Sequence, residues 1–324
     1  MQTTPPAASL RPGATDRVAR AVAIAACLPY LALKAAWLAG GRVGIPEGSV
    51  LLEQPRLMAV ANTVTLLMDT AVIVLALLLT QRWGERVPAW LPAFPAWVAT
   101  GLLLPIAVGF PLNALAGLLG GGRPAAGPSE PFLDAWVFTV VYGGFTVQGL
   151  ALGTLFVRYA RRRWSPLWRG AVRDLPPRVA GPRVRAAAVA ASLALVPGTA
   201  VHLGWAAGMT EGLPPSQAAA RTAGFHVLEA AQVLYAAAAA AGTGLLVFRR
   251  GRGLPVRLPL VLGWAGSAVL GCWGGWRFLA AMTPVADPSS GRPAVLPVLT
   301  YAGDVIAGTV LAGCVAAVLR GRAG

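Results

Sequence analysis

Eight apolar runs divide this chain, each long enough to cross a bilayer as a helix of about 20 residues. They lie at 19–40, 57–80, 96–119, 132–157, 185–208, 222–248, 258–282 and 296–319. Around 81–98 several prolines interrupt an apolar-rich connection, and that boundary is the least sharply drawn. Charged residues make up 12% of the chain, about half of the roughly 25% usual in soluble domains. That excludes an ordinary soluble globule. The fold class read from the sequence is an all-α membrane protein of eight transmembrane helices.

The net charge of +15 would fit a nucleic-acid binder, but its placement argues against one. With the N-terminus placed in the cytoplasm, 20 arginines fall on the inner side and five on the outer, while Arg277 lies within a run. Arg11, Arg17, Arg20, Arg82, Arg86, nine arginines within 158–185, four within 249–257, Arg320 and Arg322 are inner. Arg42, Arg56, Arg123, Arg221 and Arg292 are outer. Positive residues favour the cytoplasmic face, so both termini are expected inside. Tryptophans give a similar reading, with Trp37, Trp136, Trp205 and Trp276 towards the outer ends and Trp83, Trp97, Trp164, Trp168 and Trp264 near the inner ones. Arginine in preference to lysine, with Ala, Gly and Pro in abundance, matches a GC-rich bacterial genome and a place in its cytoplasmic membrane.

Shifted by 168 positions, residues 29–46 lie over 197–214 without a gap. Pro29, Trp37, Gly40, Gly44 and Pro46 fall on Pro197, Trp205, Gly208, Gly212 and Pro214. Such residues carry local geometric roles, so their recurrence outweighs that of the alanines. At an offset of 167, 82–88 lies over 249–255, Pro92 over Pro259 and Trp97 over Trp264; at 162, Pro131 and Arg158 lie over Pro293 and Arg320. The expectation is two parallel-oriented four-helix repeats, since a unit of four spans returns to the side it left. The organisation follows: a disordered cytoplasmic tail over 1–16, a first repeat over 17–157, a basic connection over 158–184 and a second repeat over 185–324. Small-xxx-small pairs at Gly149–Gly153, Gly204–Gly208 and Gly271–Gly275, with Gly303, Gly308 and Gly313, are candidate helix contacts.

Polar side chains inside spans are costly, about 2.5–3.5 kcal/mol or more for a charge at the centre, and mark function by default. Eight stand out: Lys34, Asn62, Asp69, His202, His226, Glu229, Arg277 and Asp304. All but Asp69 fall in the outer half. Asn62 and Asp69 share a helix face, and His226 and Glu229 are three apart, close enough to interact. The self-alignment places Lys34 on His202, Asn62 on Glu229 and Phe110 on Arg277, so the framework recurs while the polar members change.

The expected activity is transporter-like handling of a small polar or amphiphilic solute at an asymmetric polar site in the outer half. A membrane-embedded enzyme acting on a lipid or isoprenoid is the alternative, with Glu229 or Asp304 as acid and His226 or His202 as base. A non-catalytic partner subunit docked through 158–185 is the third reading. Buried ion pairs among the same residues would satisfy them without any ligand. Anionic lipids are the expected partners of the basic segment, with a protein partner as a further reading there and no nucleic acid. No cofactor and no metal are expected. The cysteines Cys27, Cys272 and Cys314 read as small apolar packing residues. No P-loop, H-E-x-x-H, paired aspartate-rich or G-x-S-x-G motif occurs.

Overall fold

The computed structural model describes residues 13–118, 133–219, 221–282 and 294–323. Eight long apolar helices are present: α1 Ala14–Leu38, α2 Pro55–Thr80, α3 Trp90–Leu118, α4 Ala135–Trp164, α5 Pro182–Ala206, α6 Ala223–Val247, α7 Arg257–Ala281 and α8 Val295–Ala323. No strand occurs among the described residues. All eight are long and apolar enough to span a membrane, and the chain is a multi-pass membrane protein by that measure. Arg11, Arg123, Pro131, Arg292, Pro293 and most of the tail lie outside the described residues.

Helix ends follow local chemistry. Pro55 and Pro182 open α2 and α5 in the first turn, where a missing N–H costs nothing. The Thr222 hydroxyl accepts from the Phe225 N–H at 3.3 Å and caps α6. Beyond α1, the chain turns through Gly40 (φ 89°) and Gly44 (φ 73°); beyond α5 it turns through Gly208 (φ 103°) and Gly212 (φ 77°). These left-handed values favour glycine. Trp37 Nε1 donates to the Val43 carbonyl at 2.8 Å, and Trp205 Nε1 to that of Glu211 at 3.1 Å. Both hydrogen bonds reach six residues ahead, so each indole closes the loop after its own helix. Trp37 and Trp205 are buried within the protein, whereas Trp83, Trp136 and Trp276 are exposed.

α1 packs against α2 and α4, and α3 against α4; α5 packs against α6 and α8, and α7 against α6 and α8. The two groups meet mainly where α3 runs along α6 and α7. At that seam Trp97 Nε1 donates to Ser267 Oγ and Trp264 Nε1 donates to Thr100 Oγ1, both at 3.2 Å. Each tryptophan bonds the hydroxyl three residues beyond the other tryptophan. Both indoles are partly buried and their N–H groups are engaged within the protein.

Backbones approach most closely at a subset of the glycines. A Cβ on Gly266 would lie 2.4 Å from Ala239 N, and one on Gly242 would lie 2.3 Å from Gly263 N, which fixes the α6–α7 crossing. Gly101 meets the Ala268 carbonyl and Gly308 meets Gly271 N in the same way. Gly153, Gly303 and Gly313, by contrast, have nothing within 4 Å of such a carbon. Small-xxx-small spacing alone does not separate these classes, because it says nothing about which face a neighbour covers.

The basic connection is an ordered cap. α4 continues to Trp164, and Val172, Leu175 and Val179 are buried against Val184, Leu246, Val256 and Val318. Val172 N–H donates to the Leu254 carbonyl at 2.9 Å and Val256 N–H to that of Gly170 at 3.1 Å, tying the segment to the α6–α7 connection. Several arginines work internally here. Arg163 donates to the Gly84 and Val87 carbonyls and to the Tyr159 hydroxyl, while Arg161, Arg178, Arg183 and Arg185 are exposed.

At the same end, Arg158 Nε and Arg162 Nη1 donate to the Asp16 carboxylate at 2.5 and 3.0 Å. Asp16 is buried and sits in the first turn of α1, where a carboxylate also suits the helix dipole. α1 consequently begins at Ala14, inside the segment expected to be disordered over 1–16. Replacing Asp16 by Ala should fray this turn and speed amide hydrogen exchange several-fold over residues 14–20. Arg161→Ala should leave exchange there unchanged, because Arg161 is exposed and the Asp16 carboxylate is held by Arg158 and Arg162.

Candidate functional site

The eight sequence-selected residues fall into separate groups. In the α5–α8 group, His202 stands four residues before the end of α5 with both ring nitrogens against carboxylates. Nδ1 lies 2.5 Å from Glu229 Oε2 on α6, and Nε2 lies 3.1 Å from Asp304 Oδ2 on α8. Two acceptors facing one imidazole are fully satisfied when both nitrogens carry hydrogen. Arg277 on α7 donates through Nη2 to Glu229 Oε1 at 2.5 Å and to the Tyr301 hydroxyl at 2.6 Å, with its guanidinium 4.2 Å from the Tyr301 ring centre. Gln232 Nε2 donates to Asp304 Oδ2 at 3.0 Å.

This network joins all four helices and balances two carboxylates against a guanidinium and an imidazolium. Buried charges require such pairing. His202, Glu229 and Asp304 are at most 2% exposed, whereas the Arg277 side chain retains 18%, the most of the four. Its placement follows from α7 itself. Residues Val269–Trp273 form a π-helical turn, and one extra residue rotates everything beyond it by about 100° relative to a regular helix. Gly198 and Gly274 leave room on either side of Asp304.

The α1–α4 group holds the counterparts. Lys34 Nζ donates to Asn62 Oδ1 at 2.8 Å, with the ammonium 4.7 Å from the ring centres of both Tyr30 and Trp37. Two aromatic faces and one carbonyl oxygen thus hold the charge. The Lys34–Asn62 pair occupies the same aligned positions as His202–Glu229. At the positions aligned with Arg277 and Asp304, Phe110 and Tyr142 stack at 6.1 Å, so an aromatic contact replaces the second pair of charges. Deeper in the same group, Gln148 Nε2 on α4 lies 3.3 Å from Asp69 Oδ1 on α2. Asp69 Oδ2 and Gln148 Oε1 are buried without a hydrogen-bond partner.

His226 does not join Glu229. Its Nδ1 lies 3.2 and 3.1 Å from the Trp205 and Ala206 carbonyls, where a donating imidazole satisfies the free end of α5. Helical spacing made contact with Glu229 available, but the α5 terminus offered acceptors that Glu229, already engaged twice, does not. Gln148, Gln232 and Tyr301 are the participants that the sequence reading missed. Gln148 and Gln232 are the only glutamines within the eight apolar runs, and Tyr301 precedes Asp304 by three; those are the signals that could have found them.

Among the described residues, no group of three or more His, Cys, Asp or Glu side chains is arranged to hold a metal ion. No known protein family matches the chain, nor does any curated protein or solved structure.

Proposed function

We propose that this chain is a transporter-like protein of a bacterial cytoplasmic membrane, handling a small polar or amphiphilic solute that carries an anionic group. The observation behind this reading is the charge-balanced His202–Glu229–Arg277–Asp304 network, of which Arg277 is the least buried member. A guanidinium offers a planar fork suited to a carboxylate or phosphate. An incoming anion competes with Glu229 for Arg277, and the released Glu229 can then take a cation or a proton from His202. Because the network touches α5, α6, α7 and α8, its rearrangement bears on all four helices at once.

The arrangement as two parallel four-helix repeats belongs to the same proposal. The matched loop closures by Trp37 and Trp205, the aligned polar pairs and the reciprocal Trp97–Ser267 and Trp264–Thr100 bonds support it. An isologous contact about a two-fold axis has this form, residue i meeting j while j's counterpart meets i's. The arginine asymmetry supports cytoplasmic termini. The exposed Arg161, Arg178, Arg183 and Arg185 suit anionic lipids of the inner leaflet, each worth about 1 kcal/mol near the surface.

Purified protein in nanodiscs, screened by thermal stability against small carboxylates, phosphates and anionic amphiphiles, tests the site. At least one of these should stabilise the wild type saturably and accumulate in proteoliposomes. Arg277→Lys keeps the charge but loses the fork, and should weaken that binding by about tenfold, some 1.4 kcal/mol. Absence of both binding and flux would refute the reading, and conversion of the bound compound to a product would favour the enzyme.

A further inference from the structure

We propose that Asp69 and Gln148 form a proton-holding site midway along the α1–α4 group, with Asp69 carrying an exchangeable proton on Oδ2. This deepens the transport reading by naming a proton as the coupling ion, but the protonation itself does not depend on that reading.

The argument begins with donors and acceptors. Gln148 Nε2 donates to Asp69 Oδ1, which leaves Asp69 Oδ2 and Gln148 Oε1 as two buried acceptors without a donor. Asp69 is 4% exposed and Gln148 1%. Asp69 is the fifteenth residue of the 26-residue α2, and Gln148 the fourteenth of the 30-residue α4, so both lie near the middle of the span. A buried acceptor without a donor is expensive, and an ionised carboxylate at that depth more so. One proton on Oδ2 removes the charge and supplies the missing donor. A carboxylic acid and a primary amide are then complementary, the amide N–H meeting one carboxyl oxygen and the carboxyl O–H facing the amide oxygen.

The surroundings favour a proton over a paired charge. The ionisable groups near Asp69 are Cys27, Tyr30 and Lys34 on α1, with Tyr142 on α4 beside Tyr30. α3 carries no ionisable residue along its length, and α2 carries only Arg56 besides Asp69. Lys34, the one cation among them, is held by Asn62 and by the rings of Tyr30 and Trp37. Asn62 lies about two helical turns from Asp69, some 10 Å along α2. A metal ion at this pair would find two free oxygens and no cluster of three acidic, His or Cys ligands among the described residues. Loss of the proton would leave a carboxylate whose nearest cation is Lys34, and drawing Lys34 inward would break its bond to Asn62. The proton is thereby linked to the pair aligned with His202–Glu229.

The test uses the whole protein in nanodiscs and dicyclohexylcarbodiimide, an apolar reagent that modifies protonated carboxyls within membranes. Asp69 should be labelled at neutral pH, as mapped by mass spectrometry, and labelling should fall about tenfold per pH unit once the carboxyl ionises. Infrared spectra should show a protonated-carboxyl carbonyl band that disappears in Asp69→Asn. That variant keeps a complementary amide–amide pair, so its thermal midpoint should stay near that of the wild type. Absence of both the label and the band across the whole pH range would overturn the proposal. So would protection by sodium chloride but not choline chloride at fixed pH, which would identify a cation site. A large loss of stability in Asp69→Asn would identify a structural ion pair and likewise overturn it. None of these readouts involves a solute, so failure of the transport reading would leave them standing.

Discussion

Glu229→Leu should destabilise the protein by about 3–5 kcal/mol, seen as a large fall in thermal midpoint in nanodiscs. Glu229 is 1% exposed and accepts from Arg277 while facing His202. Deleting its carboxylate leaves a guanidinium and an imidazole without their shared counter-charge, and an uncompensated buried charge accounts for most of the loss. Glu229→Gln keeps the volume and one acceptor and should cost less, about 1.5–3 kcal/mol, the worth of a hydrogen bond to a charged group. The double variant Glu229→Leu/Arg277→Met removes both charges and should recover much of the single loss. Asn62→Leu, at the aligned position in the other group, should cost less than Glu229→Leu because Lys34 keeps its two aromatic faces. A double variant no more stable than Glu229→Leu would show that the pair is not coupled as described.

The second large effect belongs to the α6–α7 crossing. Gly266→Val should reduce the monodisperse yield in detergent and lower stability by about 3 kcal/mol or more, the upper end of overpacking costs. Its Cβ would fall 2.4 Å from Ala239 N and 2.5 Å from the Tyr235 carbonyl oxygen, and backbone cannot move aside as a side chain can. The helices would have to separate, shifting Gln232 on α6 and Arg277 on α7. Gly303→Ala meets nothing within 4 Å and should change stability by no more than about 0.5 kcal/mol. Equal effects at the two glycines would refute the close-approach account.

Apolar run length made the number of helices legible, but their ends were less so. α1 begins at Ala14 instead of 19 because Asp16 is held by Arg158 and Arg162, a pairing across more than 140 residues that no local pattern encodes. α3 begins at Trp90 instead of 96; Pro92 falls in its first turn, where a missing N–H costs nothing, while Pro95 lies inside the helix and gives up one backbone bond. α4 extends past 157 through its arginines, whose long stems reach polar partners from a helix end.

The polar residues were legible as individuals and not as partners. Sequence gives the depth of Lys34 and His202, and the self-alignment gives their correspondence, but neither says which neighbours they meet. The structure places Lys34 with Asn62 and His202 with Glu229 and Asp304, in different helix groups, so one common cluster is not what the contacts show. Gln148 went unnoticed because the residues singled out were the charged groups, the histidines and Asn62, although a buried amide also needs hydrogen-bond partners.

On the two-repeat arrangement proposed above, the reciprocal tryptophan bonds at the α3 seam bear on ancestry. Two copies of a single four-helix gene product, meeting in this way, would make one bond twice and carry identical polar residues on both sides of the dyad. Any substitution in such a homodimer alters both subunits together. Joining the copies into one polypeptide lifts that restriction, so Lys34–Asn62 and His202–Glu229 can be inherited separately. A single chain can thus retain the scaffold of a dimer while assigning its two halves different chemistry.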